Sequence, residues 1–226
     1  MEIINFADHN SLVGQFLREM RDVNTQGNRL VFRNNIHRIG QVMAYEISKR
    51  LEYQPVKTTT CLGVADEFEF ADDVVIATIL RAGLPLHEGF LSYFDKAENA
   101  FVSAYRKYHD GSDEFDVNIE YIASPSIDGK VLLLVDPMLA TGASMELAYK
   151  ALLTKGTPKH VHIASVIASQ PAIDYVREHF PAETTTVWVG AVDPKLNAHF
   201  YIVPGLGDAG DLAYGEKEYP RHQLPW

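Results

Sequence analysis

Five apolar residues in an unbroken row, Val131 to Val135, run directly into the carboxylate of Asp136. A strand with one face in water alternates apolar and polar residues. A run without alternation needs cover on both faces, the condition of a strand inside a parallel sheet. The pattern recurs in Val74 to Leu80, Phe101 to Tyr105, Val161 to Ala168 and Thr186 to Val192. Segments of helical spacing lie between these runs: Leu84 to Phe94, Ser144 to Leu153 and Pro171 to Phe180. The alternation predicts an α/β fold with a doubly wound, mostly parallel sheet flanked by helices. Ligands of such sheets gather at the carboxyl ends of the strands, so polar residues just past each run form the candidate site.

Two helical stripes precede the sheet. Asn10 or Ser11 caps a helix bearing Leu12, Phe16, Leu17 and Met20. Phe32, Ile36, Ile39, Met43, Ile47 and Leu51 then follow at steps of three and four, with Pro55 expected to end that helix. The second stripe suits either the core or a subunit interface. A polar stretch, Lys107 to Asp116, breaks the pattern after Tyr105, and Val117 to Ile122 alternates weakly. A flexible loop or β-hairpin arm protruding from the sheet is expected there. The 226 residues suit one domain: N-terminal helices over 1–55, an α/β core over 74–203, and a loop and tail over 204–226.

Thirty acidic residues against twenty basic ones give a formal charge of −10. That balance disfavours a broad nucleic-acid surface, which needs a basic field, but allows a local basic pocket. The one cysteine, Cys61, has no internal partner for a disulfide, and a buried, small apolar role is expected for it. The first residues carry neither a basic segment nor an apolar signal core, and no apolar run approaches the ~18 residues of a membrane span. A soluble, cytoplasmic protein without a membrane partner is expected.

Three segments carry chemistry. The strongest is Asp136-Pro137-Met138-Leu139-Ala140-Thr141-Gly142-Ala143-Ser144, a small-residue loop between the clearest strand and a helix with Leu147, Ala151 and Leu152 on one face. Free N–H groups at a helix start bind anions, here a phosphate monoester, with hydroxyls from Thr141 and Ser144. Asp136 suits the hydroxyls of a ribose. A Walker loop is excluded by the missing Gly-Lys-Ser/Thr. The plainer reading is a capped βα turn.

The second segment, Ile79 to Leu86, puts Arg81 at a strand end before small residues and a helix, where it can grip a second phosphate with two parallel bonds. A surface ion pair is the plainer reading. Arg106 and Lys107 repeat the strand-then-cation order. The third, His199 to Asp211, matches GxGxxG at Gly205, Gly207 and Gly210. A dinucleotide reading fails because too little chain follows for the helix and acidic strand it requires. The segment reads better as a glycine-rich loop against a flat ligand, with Asp208 and Asp211 near a metal or a hydroxyl, or as a turn with solvated acids. His160 and His162 face one side of a strand, and a zinc site there lacks a third ligand in reach by sequence. His87 and Glu88, near the second segment, suit substrate contacts or, as the plainer reading, helix-start residues.

Together, Ile79-Leu80-Arg81-Ala82-Gly83-Leu84, Asp136-Pro137-Met138-Leu139-Ala140-Thr141-Gly142 and Tyr201 to Asp211 resemble the uracil phosphoribosyltransferase family, and a looser likeness runs from about His9 to Gly215, including Met20-Arg21 and Tyr45-Glu46. The resemblance implies the type I phosphoribosyltransferase fold. It also implies transfer of the phosphoribosyl group of 5-phosphoribosyl 1-pyrophosphate (PRPP) to uracil, giving UMP and diphosphate, with Mg²⁺ as cofactor. It places Asp136, Pro137, Met138, Leu139, Ala140, Thr141, Gly142, Ala143 and Ser144 on the 5-phosphate and ribose, and Arg81 and Arg106 on the pyrophosphate. Asp208 faces the donor, and the backbone at Ile202, Gly207, Asp208 and Ala209 reads the uracil edge. Arg81, Asp136 and Asp208 are the implied catalytic residues. No metal ligands are expected beyond the donor's own oxygens and Asp208. The family is typically a homodimer or larger homo-oligomer, and some members respond to GTP.

Three departures stand out: Ala143 for a usual second glycine, Pro85 for glycine after Leu84, and a tail from Glu216 to Trp226 past the usual family end. Ala143 is compatible with ordinary backbone, and Pro85 with a helix's first turn. A relative using a purine, an RNA-binding regulator on the same fold, and a subunit that has lost activity are the competing readings. The Ile202 to Asp211 string, the −10 charge, and the intact Arg81, Asp136, Thr141 and Asp208 oppose them in turn.

Overall fold

A computed structural model of the chain describes residues 1–108 and 115–217, with side chains over 1–103 and 119–217. Along the chain run β1 (Glu2–Asn5), α1 (Leu12–Arg21), α2 (Arg29–Ser48), β2 (Tyr53–Thr59), β3 (Val64–Phe70), β4 (Val74–Leu80), α3 (Gly83–Leu91), β5 (Glu98–Tyr108) and β6 (Phe115–Ala123). Then come β7 (Val131–Val135), β8 (Met138–Leu139), α4 (Ala143–Leu152), β9 (His160–Ser169), α5 (Gln170–His179), β10 (Thr185–Asp193), β11 (Lys195–Leu196), β12 (Ile202–Val203) and α6 (Ala209–Tyr214).

The described residues form an eight-stranded sheet in the order β1-β10-β9-β7-β4-β5-β6, with β8 beside β9. All its pairings are parallel except β5 with β6. Double burial explains the continuous apolar runs. Every side chain of β7 is buried, and so are those of β4 up to Ile79. One apolar layer joins α1, α2 and α3 to one face of the sheet; the other joins α4 and α5 to the opposite face. The mostly parallel, helix-flanked sheet is the fold that the sequence predicts.

The stripe on α2 belongs to the core. Phe32, Ile36, Ile39, Met43 and Ile47 are all at most 1% exposed within this one chain, which decides between core and subunit interface. The helix packs closely on α3 through two glycines. A Cβ on Gly40 would stand 2.7 Å from the Leu86 carbonyl oxygen, and one on Gly89 would collide with the His37 carbonyl.

Three expectations need correction. Pro55 does not end α2, which stops at Ser48; Pro55 sits within β2 instead. The β2–β3 hairpin is a separate two-stranded sheet that the apolar pattern did not announce, since most of its side chains are exposed. Cys61 is exposed, not buried, because it lies in the turn of that hairpin, where Thr60 N–H donates to the Gly63 carbonyl at 2.8 Å. The weakly alternating 117–122 segment is β6, paired antiparallel with β5 as a hairpin on the sheet's edge. The tip of that hairpin, within the expected 107–116 loop, lies outside the described residues, as does the tail from 218 onward.

At the amino end of β9, His160 and His162 do not form a metal site. His160 Nε2 bonds the Thr186 hydroxyl at 3.0 Å, and His162 Nδ1 accepts from Trp188 Nε1 at 3.1 Å. Burial, with the positive neighbours His160 and Arg50, pushes His162 down to about 3. Above about pH 6.5 the ring is neutral in both the folded and unfolded chain. Between pH 6.5 and about 3 the unfolded chain binds a proton that the folded chain refuses, so stability falls with pH by about 1.4 kcal/mol per unit. His162→Gln keeps an acceptor for Trp188 and has no such proton. Urea unfolding at pH 7 and pH 4.5 should show a smaller acid loss in the variant; equal losses would mean that His162 protonates freely in the fold.

Candidate active site

The β7–α4 loop is held from several sides. Asp136 N–H continues the sheet to the Ala164 carbonyl at 3.1 Å, and its Oδ1 accepts from Met138 N–H at 3.2 Å. The Pro137 carbonyl takes the N–H groups of Val166 and Ile167, both at 3.0 Å, which anchors the short β8 to β9. Ser169 Oγ donates to the Ala140 carbonyl at 2.5 Å while accepting from Ala172 N–H at 3.0 Å, so the cap of α5 also pins the loop. Asp136, Met138 to Gly142, Ser144 and Met145 line a shallow, solvent-open cleft. Thr141 Oγ1 accepts from Ala143 N–H at 3.3 Å. The ten-residue helix α4 starts at Ala143 with its free N–H end toward this cleft.

Gly142 is required twice over. Its φ of +88° is left-handed, and a Cβ there would stand 2.6 Å from Tyr175 Cδ1. Ala143 adopts ordinary helical backbone as expected, so the second glycine of the family pattern is not needed. The Tyr175 ring that covers Gly142 stacks on His179 with centroids 3.8 Å apart. Its hydroxyl donates to Glu146 at 2.5 Å, and this bond pushes the phenol up to about 12. Burial alone would raise the Glu146 carboxyl, but hydrogen bonds from Lys150 and Tyr175 outweigh it and hold the group low. Glu146, in the first turn of α4, thus stays ionised, with its charge answered by Lys150 and the Tyr175 hydroxyl.

Arg81 follows β4 immediately. The adjacent strand ends meet, since a Cβ on Gly83 would lie 3.4 Å from the Val135 carbonyl oxygen. Arg81 Nη2 reaches Asp211 Oδ1 at 3.1 Å and the Gly215 carbonyl at 3.3 Å, tying the second segment to the third. Its Nε is buried without a hydrogen-bond partner among the described residues, a donor left over for an anion. The plainer reading of Arg81, an ion pair, is therefore present in this state alongside unspent capacity. Pro85 sits in the first turn of α3, as expected. His87 is not a helix-start residue: it lies inside α3, buried and bonded to Asn99 at 2.7 Å, and burial lowers its pKa. Arg106 belongs to β5, opposite Val117, with its side chain outside the described residues.

The third segment turns back from β11 onto β12 and then into α6. Ile202 and Leu206 are buried, and Gly207 is exposed between them and α6. Asp208 caps α6, its Oδ1 accepting from Asp211 N–H at 3.0 Å. Asp208 and Arg81 flank Gly210, where a Cβ would lie 3.1 Å from Asp208 Oδ1 and 3.6 Å from Arg81 Nη2. Gly205 has a role other than presenting polar groups to a ligand. Its N–H donates to Asp193 Oδ2 at 2.9 Å and its carbonyl accepts from Arg21 Nη1 at 2.9 Å, so both groups are already spent. Of the next three residues, Gly207 is exposed and Asp208 partly so, while Ala209 is buried. Asp193 ends a buried run as Asp136 does, and that shared pattern was the signal available for it; Tyr175 and Glu146 have no comparable mark in the sequence.

Gly142→Ala should lose about 1–2 kcal/mol from the left-handed backbone and a further 1–3 kcal/mol from the Tyr175 clash. In a Tyr175→Ala background, which removes the Cγ and Cδ1 atoms that crowd the site, mainly the backbone part should remain. Denaturant melts of the four proteins test this, and equal losses in both backgrounds would remove the ring from the account.

The profile of the family described as "Uracil phosphoribosyltransferase" matches residues 7–216. A protein of that name from Porphyromonas gingivalis is 64% identical over 217 residues, covering 96% of this chain and 100% of its own length. Another from Methanothermobacter thermautotrophicus is 40% identical, covering 81% of this chain and 83% of its own length. A solved structure from Aquifex aeolicus superposes with a TM-score of 0.84 at 29% identity, over 96% of this chain and 100% of its own. With its sheet, its β7–α4 cleft and its Arg81–Asp211 joint in place, the chain belongs to the uracil phosphoribosyltransferase family.

Proposed function

We propose that the protein transfers the phosphoribosyl group of PRPP to uracil, releasing diphosphate and forming UMP for pyrimidine salvage. The observation that carries this reading is the meeting of the three segments: the Asp136–Ser144 cleft, Arg81 at the neighbouring strand end, and Arg81's link to Asp211 beside the glycine-rich loop.

In this reading the N–H groups at the start of α4, with Thr141 and Ser144, hold the 5-phosphate. Asp136 accepts from ribose hydroxyls. The anomeric carbon becomes oxocarbenium-like as the diphosphate leaves, so cations must meet the developing negative charge. Arg81 is given this role, and Arg106 of β5 is assigned to share it. Asp208 stands toward the donor, and the backbone of Ile202, Gly207, Asp208 and Ala209 reads the base. A backbone N–H facing a uracil carbonyl would be left unpaired against cytosine's amino group, which gives strong discrimination.

Mg²⁺ belongs to this proposal as the donor's companion, neutralising the diphosphate when bound. Asp136 on the cleft and Asp208 near Arg81 are hard oxygen donors of the kind that supplement substrate phosphates around this ion. We extend the reading to a cytoplasmic homo-oligomer with GTP as activator. No helix among the described residues is long and apolar enough to cross a membrane. The exposed Leu62, Val64 and Phe68 of the β2–β3 hairpin support a partner subunit.

A base panel tests the function. With PRPP and Mg²⁺, uracil should give UMP while cytosine, hypoxanthine, guanine and adenine give no nucleotide. Turnover of a purine would keep the phosphate cleft and sink the account of the base loop. Arg81→Ala should lower kcat by about 10²–10³-fold in a folded protein, because the lost Asp211 pair is half-exposed and weak. Near-normal turnover would take Arg81 out of the mechanism. Asp136→Asn should weaken PRPP binding more than uracil binding, and equal weakening would contradict the ribose role.

A further inference from the structure

Arg21 ends α1 and Asp193 ends β10. Their side chains meet in a two-pronged pair, Nη1 to Oδ2 and Nη2 to Oδ1, both 2.7 Å. The pair is largely shielded, with side-chain exposures of 23% and 7%. Both partners then turn to the same residue. Arg21 Nη1 donates to the Gly205 carbonyl, and Asp193 Oδ2 accepts from the Gly205 N–H, each at 2.9 Å. Gln26 Nε2 adds a bond to the Leu206 carbonyl at 3.2 Å while holding the Met20 carbonyl at 3.0 Å. Three polar groups of the backbone just before Gly207 are thus fixed by side chains, two from the first helix region and one from the end of β10.

That backbone needs fixing. Gly205 and Gly207 have φ of +61° and +96°, and glycine supplies no side chain to anchor such a turn. Reading a base by main-chain N–H and C=O groups tolerates only about 0.5 Å of misplacement. An arginine fork on a carboxylate gives a defined plane, which a lysine does not.

We propose that Arg21, Asp193 and Gln26 are positioning residues that set base specificity. They hold Gly205 and Leu206 so that the backbone of Gly207 to Ala209 meets the pyrimidine edge in register. The proposal rests on the uracil reading above. It assigns these residues to the acceptor side of the reaction, away from the β7–α4 cleft.

The test separates a positioning role from a structural one. Removing either charge leaves the other shielded and unpaired, so Arg21→Ala is at risk of misfolding. Gln26→Ala leaves no charge behind, and Arg21→Lys keeps the charge while losing the fork. In both, KM for uracil should rise about tenfold with KM for PRPP within about twofold, and the ratio of cytosine to uracil turnover should rise. Equal changes in both KM values, or no change in either, would overturn the proposal. Hydrogen exchange read by mass spectrometry supplies an arm that needs no activity. Peptides over 203–209 should exchange faster in Gln26→Ala than in the parent, while those over 131–153 stay unchanged. Unaltered exchange at 203–209 would show that the clamp does not hold the loop. If the parent protein makes no UMP from uracil, the base assignment falls by itself, and the exchange result still decides whether the loop is held.

Discussion

No side chain of β7 faces water, and β9 exposes only part of His160. A strand in that position can aim nothing polar at a ligand without leaving a polar group buried. Ionisable groups are therefore pushed to the strand ends, where the sheet runs out and helices begin. Asp136 after β7, Arg81 after β4 and Asp193 at the end of β10 all stand there. The same burial covers both faces with helices, so a ligand is left with the carboxyl edge as its approach. The position of the cleft follows from the apolar runs before any residue of the cleft is considered.

Two loops at that edge solve one problem in two ways. Each contains left-handed glycine, and each would be loose by itself. The β7–α4 loop is braced by an aromatic ring, with Tyr175 filling the space over Gly142 and reaching Glu146 with its hydroxyl. The 203–209 loop is braced by charge, through Arg21 and Asp193 on Gly205. At the neighbouring strand end, Arg81 bonds to Asp211 and Gly215 just past the second loop and also holds a spare donor.

Much of this could be read from the residues in order. The strands Val74–Leu80 and Val131–Val135 coincide with their apolar runs, because continuous burial leaves a mark that survives without coordinates. The first two chemical segments were visible for the same reason, each lying directly after such a run, and the third by its glycine spacing. The β2–β3 hairpin left no mark, since β2 is mostly polar and exposed, β3 mixes acids with exposed apolar residues, and the two pair with each other rather than with the main sheet. That hairpin also explains the errors at Pro55 and Cys61, which a helix-then-sheet reading had no place for. The supports of the site were harder still. Tyr175 looks like any aromatic on an amphipathic helix, and Arg21 like any basic residue in a helix's last turn. Their roles depend on what lies opposite them in space, which spacing along one segment does not encode.

The distance along the chain between Arg21 and its partner Asp193, 172 residues, bears on how the protein is made. On a ribosome α1 and α2 emerge well before β10 and the glycine-rich loop exist. Their apolar faces, with Phe32, Ile36 and Ile39, must wait for strands still to be synthesised. Contacts of such long range form late and leave apolar surface open in the meantime. The bracing of the 203–209 loop is thus completed among the last parts of the fold, after the strand and helix that flank the β7–α4 loop have already been made.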